Sequence, residues 1–193
     1  LANYDMLAAL AGDLTISDAT AKKLMADLPA DLDPERRAVV ETACRLVGKV
    51  NYFWGGKSLV IGWDSRWGQL TKVWADSNST TDTYRPYGLD CSGFVDWVFY
   101  NVTDGEYVIG HGGGVHMQHT YCTPISWNEA QPGDLVFFND PSRNAGKACS
   151  HAGIYIGNGQ HIHASSSRGG GVIISDMTSG YYNTYFVGGL RLS

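Results

Sequence analysis

No apolar run in these 193 residues approaches the roughly 20 needed to cross a bilayer as a helix, so a membrane-spanning helix is excluded. No leader is recognisable at Leu1, although a mature chain would lack one as well. Cysteine is sparse. Cys44, Cys91, Cys122 and Cys149 are too few at this length for a dense disulfide framework, and the expectation is that none pairs. Cys44 reads as core on an apolar helix face, and Cys122 and Cys149 as buried or idle thiols. Basic residues are outnumbered: 14 Lys and Arg against 19 Asp and Glu give a net charge of -5, which argues against nucleic acid as partner. Metal and cofactor signatures are missing too. His111, His116 and His119 fit no zinc spacing, and Gly112 to Gly114 lack the Lys-Ser/Thr of a phosphate loop, so no metal and no cofactor is expected.

What is abundant is glycine (24), tyrosine (11) and tryptophan (6). With 44% hydrophobic residues, that mix describes a packed, turn-rich fold with an aromatic groove rather than a helical bundle. Residues 1 to 33 read as a helical extension. Tyr4, Met6, Leu7 and Leu10 make one amphipathic piece; Ser17 caps a second, which ends at Leu28-Pro29. Asp33-Pro34-Glu35 opens a stronger helix stopped by Gly48. Residues 49 to 88 read as a long connection punctuated by Gly55, Gly56, Gly62, Gly68 and Pro86. A helix follows at about 91 to 101, and a short one at Val115 to Tyr121. Strand signals then take over: Asp134–Phe138, His151–Ile156, Gln160–Ala164, Val172–Ser175 and Tyr185–Val187, with a hairpin turn at Asn158-Gly159. Helices first and antiparallel strands after them predict an α+β fold, with the helices packed on a small curled sheet or half-barrel.

The chemistry centres on Cys91. Turn residues Pro86, Gly88 and Asp90 precede it, and Phe94, Val95, Val98 and Phe99 recur at helical spacing after it. A thiol at a helix N-terminus meets the positive end of the dipole, which predicts a lowered pKa and an enriched thiolate. A cysteine nucleophile also needs a base and a group to orient that base. His151 and His163 sit on strands joined by Asn158-Gly159. With the turn at those two residues, His151 faces Ser166 and His163 lies a few positions away; a register shift would bring the rings together. His151 is assigned as base and His163 as orienter, although spacing alone leaves the reverse order open.

Four stretches in order resemble the NlpC-type cell-wall cysteine peptidases, whose fold is papain-like. They are Asp90–Val95, Pro132–Phe138, Ser150–Gly157 and Ile162–Ser165, with Tyr52–Gly56 upstream. The likeness covers about 34 to 193. It implies that Cys91, at the start of a central helix, is the nucleophile, His151 the base and His163 the orienter. It implies that Tyr52 assists the oxyanion and that Asp90 and Ser92 contact the amino end of a peptide. The expected reaction is hydrolysis of peptidoglycan stem peptides, commonly between D-glutamate and the diamino acid. The expected location is outside the cell or on its wall. An amidase, an acyltransferase and a non-catalytic wall-binding module are the alternatives on the same scaffold. One departure stands out: the stretch at about 57 to 88 is longer than usual and carries Trp63, Trp67, Trp74, Tyr84 and Tyr87. Together with Trp54 these residues could line the cleft, or they could pack the insertion on its own body.

Overall fold

The computed structural model describes residues 14–167 and 169–192; the amphipathic piece expected at Tyr4 to Leu10 lies outside them. Helix α1 spans Ala19–Asp27. Its cap is Asp18 rather than the expected Ser17, because Asp18 is the extended residue whose carboxylate reaches the Ala21 N–H at 2.9 Å. The helix ends at Leu28, held extended (ψ 142°) by Pro29. Helix α2, Pro34–Cys44, begins as expected, with Asp33 accepting the N–H groups of Glu35 and Arg36. Its regular part stops four residues short of Gly48. Leu46 and Val47 donate three residues back, to the Ala43 and Cys44 carbonyls, so the last turn tightens before Gly48 reverses the chain at φ +77°.

Helix α3, Cys91–Val102, is the central element. Phe94, Val95, Trp97 and Val98 are buried in one cluster with Val39, Val40 and Ala43 of α2. Ala21, Leu24, Leu28 and Leu32 belong to the same cluster, so residues 19 to 32 share the main core. Against it lies a six-stranded antiparallel sheet. Its strands are β5 (Cys122–Ile125), β6 (Leu135–Phe138), β7 (His151–Gly157), β8 (Gln160–Ser165), β9 (Gly171–Asp176) and β10 (Phe186–Leu192), in the order β5-β10-β6-β7-β8-β9. The expected strand at Tyr185 starts one residue later, because Gly180–Tyr185 forms a short helix, α5. Helix α4, Val115–Thr120, precedes β5. The architecture is the expected α+β, papain-like arrangement.

The insertion is tied at its base. Strand β1 (Asn51–Tyr52) pairs in parallel with β4 (Gly88–Leu89), and β2 (Leu70–Lys72) pairs with β3 (Tyr84–Pro86) within the loop. The β1–β4 approach explains two glycines. A Cβ on Gly88 would sit 1.8 Å from the Asn51 carbonyl oxygen, and one on Gly56 would sit 2.2 Å from the Gly88 oxygen. The pairing delivers Tyr52 beside Leu89, two residues before Cys91.

Candidate active site

Asp90 is extended (φ -84°, ψ -179°) and caps α3, its Oδ1 accepting the Gly93 N–H at 2.7 Å. Gly93 is required here, since a Cβ would meet the Gly56 carbonyl oxygen at 2.2 Å. Cys91 is thus the first residue of the helix, as its sequence context predicts. Its acidity is not as predicted. Burial, and then the Asp90 carboxylate, push the thiol up to about 12, although Lys57 and the backbone N–H groups of Ser92 and Ala152 pull the other way. The dipole expectation fails because desolvation of a thiolate outweighs the field of one helix end.

The histidines are positioned by a hairpin with one irregularity. Asn158 (φ 53°) and Gly159 (φ 71°) are both left-handed, the requirement of a tight two-residue turn. Gly157 pairs with Gln160, but the next pairs are Tyr155 with His161 and Ile154 with Ile162, so one residue bulges out before Gly157. In the unshifted register His163 would oppose Ile154 and point away from His151. The shift places it opposite Gly153, on the same side as His151. The outcome is a bond of 2.7 Å between His151 Nε2 and His163 Nδ1. His163 Nε2 continues to Ser175 Oγ on β9 at 2.8 Å.

A third imidazole, His161, was not anticipated. It stacks on His163 at 4.3 Å, and its Nδ1 bonds the Ser175 carbonyl oxygen at 3.1 Å. Gly153 makes room for it, since a Cβ there would lie 2.7 Å from His161 Cδ2. Tyr182 of α5 covers His161 and His163, its ring 4.9 Å from each. Burial holds all three histidines below their ordinary value: His151 to about 4, helped by Arg143; His161 to about 3; His163 well down, with the other two adding. They are therefore neutral at pH 7. Their ligand atoms lie within 4.8 Å of one another. His151 and His163 nevertheless bond each other at 2.7 Å, closer than the roughly 3.3 Å that separates two nitrogens on one tetrahedral zinc.

Tyr52 is half-buried, and burial together with Cys91 and Asp90 pushes its phenol far above the usual range, so it stays an O–H donor. Asp90 and Ser92 lie at the helix start as expected, but Lys57 Nζ is already on them, at 2.6 Å from Asp90 Oδ1 and 2.5 Å from Ser92 Oγ. Of the two alternatives for the insertion's aromatics, Trp63 and Trp67 take the packing one. Trp63 packs edge-on against Trp67 (5.0 Å), and Trp67, 6% exposed, packs against Trp97 in the middle of α3 (5.7 Å). They seal the insertion onto the helix about two turns beyond Cys91. Trp54 is half-buried and donates its indole N–H to the Asp76 carbonyl inside the insertion.

Elsewhere Gln118 Nε2 donates to the Ser92 carbonyl and to Asp96 Oδ1, joining α4 to the first turns of α3. Burial raises the Asp96 carboxyl to about 7. His119 packs edge-on against Phe137, and all four cysteines are free thiols. Lys57, Asp96, Ser175 and Tyr182 carried no local signal in the sequence. His161 did: it alternates with His163 along one strand.

A family profile described as the NlpC/P60 family matches residues 48–191. The bifunctional muramidase/DL-endopeptidase CwlT of Bacillus subtilis is 38% identical over 115 residues, which is 60% of this chain and 30% of that protein. The peptidoglycan DL-endopeptidase CwlO of Bacillus licheniformis is 29% identical over 154 residues, 80% of this chain and 27% of that one. The match therefore spans under a third of either relative. Among solved structures, the peptidoglycan hydrolase RipB of Mycobacterium tuberculosis superposes with a TM-score of 0.53 at 26% identity, covering 97% of this chain and 76% of that one.

Proposed function

The chain belongs to the NlpC/P60 family, and on that premise we propose that it is a cysteine endopeptidase of peptidoglycan stem peptides. One observation carries the reading: a chain of bonds from His151 through His163 to Ser175 across three neighbouring strands, with His151 next to Ala152, whose N–H bonds the Cys91 sulfur. If His151 Nε2–H donates to His163 Nδ1 and His163 Nε2–H donates to Ser175 Oγ, the tautomer of His151 is set. Its Nδ1 is then the free basic nitrogen.

Neither Cys91 nor His151 charges readily alone, because each is held neutral by burial. The pair charges together: His151 takes the thiol proton as the sulfur attacks the scissile carbonyl. The oxyanion is met by the Cys91 backbone N–H, which has no acceptor within the helix, and by the Tyr52 hydroxyl. His151 then protonates the leaving amine, leaving the acyl group on Cys91 as a thioester. Water, giving a proton to His151, attacks that carbonyl; the C–S bond breaks, the new carboxylate leaves and the proton returns to the sulfur. The bond proposed is that between D-glutamate and the diamino acid, in keeping with the DL-endopeptidase names of CwlT and CwlO. Such a substrate places the protein outside the cytoplasm. Residues 34 to 193 are the proposed catalytic domain, 1 to 33 its helical extension and 57 to 88 its insertion.

Incubation with defined muropeptides and mass analysis of the new termini tests this. Release of fragments ending in D-glutamate, lost by at least a thousandfold in Cys91→Ala with Tm unchanged, is the expected result. Cleavage at the sugar–peptide bond would identify an amidase instead.

A further inference from the structure

Asp90 is a charged group in a mostly dry place that already has a cation on it. Its side chain is 12% exposed, and Oδ1 alone receives the Gly93 N–H (2.7 Å), the Ser92 hydroxyl (3.1 Å) and Lys57 Nζ (2.6 Å). Lys57 also donates to Ser92 Oγ. The ammonium therefore bridges the two residues that flank Cys91.

Lys57 is held there by the insertion. The Tyr87 hydroxyl donates to the Lys57 carbonyl at 2.7 Å and accepts its N–H at 3.2 Å, and Arg66 Nη2 donates to the same carbonyl at 3.3 Å. Arg66 in turn lies 5.0 Å over the Tyr87 ring. The lysine stem runs across the first turn of α3, with Cδ 3.2 Å from where a Cβ of residue 93 would stand.

We propose that Lys57 is a built-in substitute for a substrate ammonium, tuning the cleft to stem peptides whose amino end is acylated, as it is while the stem remains attached to glycan. This rests on the endopeptidase reading. An acylated peptide brings no charge and leaves the Lys57–Asp90 pair intact. A free amino end must either displace Lys57, breaking its bonds to Asp90 and Ser92 for no more than an equivalent ion pair, or add a second cation beside it. Both penalise the free peptide.

Two synthetic stem peptides of one sequence, N-acetylated or with a free amine, test this on the full chain and on Lys57→Ala and Lys57→Met. The wild type is expected to favour the acetylated peptide by about tenfold or more in kcat/KM. Both variants should lose or reverse that preference, through a lower KM for the free amine. Calorimetric binding to Cys91→Ala, with and without Lys57→Ala, reads the same preference without turnover. A binding ratio near one, unmoved by Lys57→Ala, overturns the role of Lys57 whether or not the peptides are cut. A shifted ratio without any hydrolysis supports Lys57 and sinks the peptidase reading. Equal losses on both peptides, with the ratio preserved, also overturn the proposal.

Discussion

The β7–β8 hairpin and the insertion at 57 to 88 both reach the region around Cys91, but main-chain pairing dominates the first and side-chain bonds carry more of the second. The hairpin is a main-chain ladder with buried residues along most of its length, and one bulged residue decides which side chains meet. The insertion has only two three-residue strands, extended by short main-chain bonds such as Gly68 to Tyr87 and Val73 to Thr83, and side chains stitch the rest. Buried Asp64 takes the Ser58 hydroxyl (2.8 Å), the Arg66 backbone N–H (3.0 Å) and the Arg66 guanidinium (2.6 Å), and Asn78 Oδ1 takes Thr80 twice. A ladder transmits a local change to every residue beyond it, whereas a stitched loop confines the change to its neighbours.

The sharpest way to break this contrast is Gly153→Ala. The added methyl would stand 2.7 Å from His161 Cδ2 and 2.9 Å from the Ile162 carbonyl oxygen, and backbone cannot yield cheaply. Activity should fall by at least about a hundredfold, with a lower Tm, because the histidines are displaced together. In the insertion, Trp67→Ala should cost about 3 to 5 kcal/mol in chemical denaturation while leaving folded protein active. Trp67→Phe should cost clearly less, since the buried indole N–H has no partner to lose. Activity loss in folded Trp67→Ala as deep as in Gly153→Ala would abolish the distinction.

Smaller effects sharpen it. The Cys91 thiol sits between the hairpin and the Lys57–Asp90 pair, and burial raises it to about 12. Its alkylation by iodoacetamide in the free protein should keep rising above the ordinary thiol value of about 8.5. An inflection below that value would mean that a thiolate–imidazolium pair forms before substrate arrives. The smallest effect belongs to Asp96. Its carboxyl is raised from 3.8 to about 7 in the folded state, so the native protein keeps a proton that the unfolded chain has released. That contribution weakens stability as pH rises from about 4 to 7. The buried histidines, held low, act in the opposite direction over part of the same window. Asp96→Asn isolates the carboxyl: its Tm advantage over wild type should grow by a few degrees between pH 5 and pH 8. A constant difference would contradict the raised value.

Much of the fold was legible because it obeys local rules. Asp33-Pro34 starts a helix where cap and fixed φ agree, Asn158-Gly159 makes the turn that only left-handed residues allow, and Leu135–Phe138 is apolar enough to be a central strand. Short strands such as Cys122–Ile125 and Leu70–Lys72 escaped notice, since four residues or fewer carry too little periodicity to stand out. At the candidate site, Cys91, His151 and His163 announced themselves by residue type and context. Ser175 and Lys57 did not, because a serine on a neighbouring strand and a lysine in a loop are locally unremarkable until the chain brings them together. The tryptophans left two alternatives open for the same reason: aromatic content is visible in a sequence, but its direction is not.

The sequence by itself determined the order of elements, the thiol at a helix start and the histidines on one hairpin, all set by interactions between near neighbours. Tertiary structure alone decided the bulge that turns His163 toward His151, the burial that reverses the expected acidity of Cys91, and the lysine that reaches across from the insertion to Asp90. Each of these depends on register, desolvation or charge pairing between residues remote in the chain, and no local pattern encodes them.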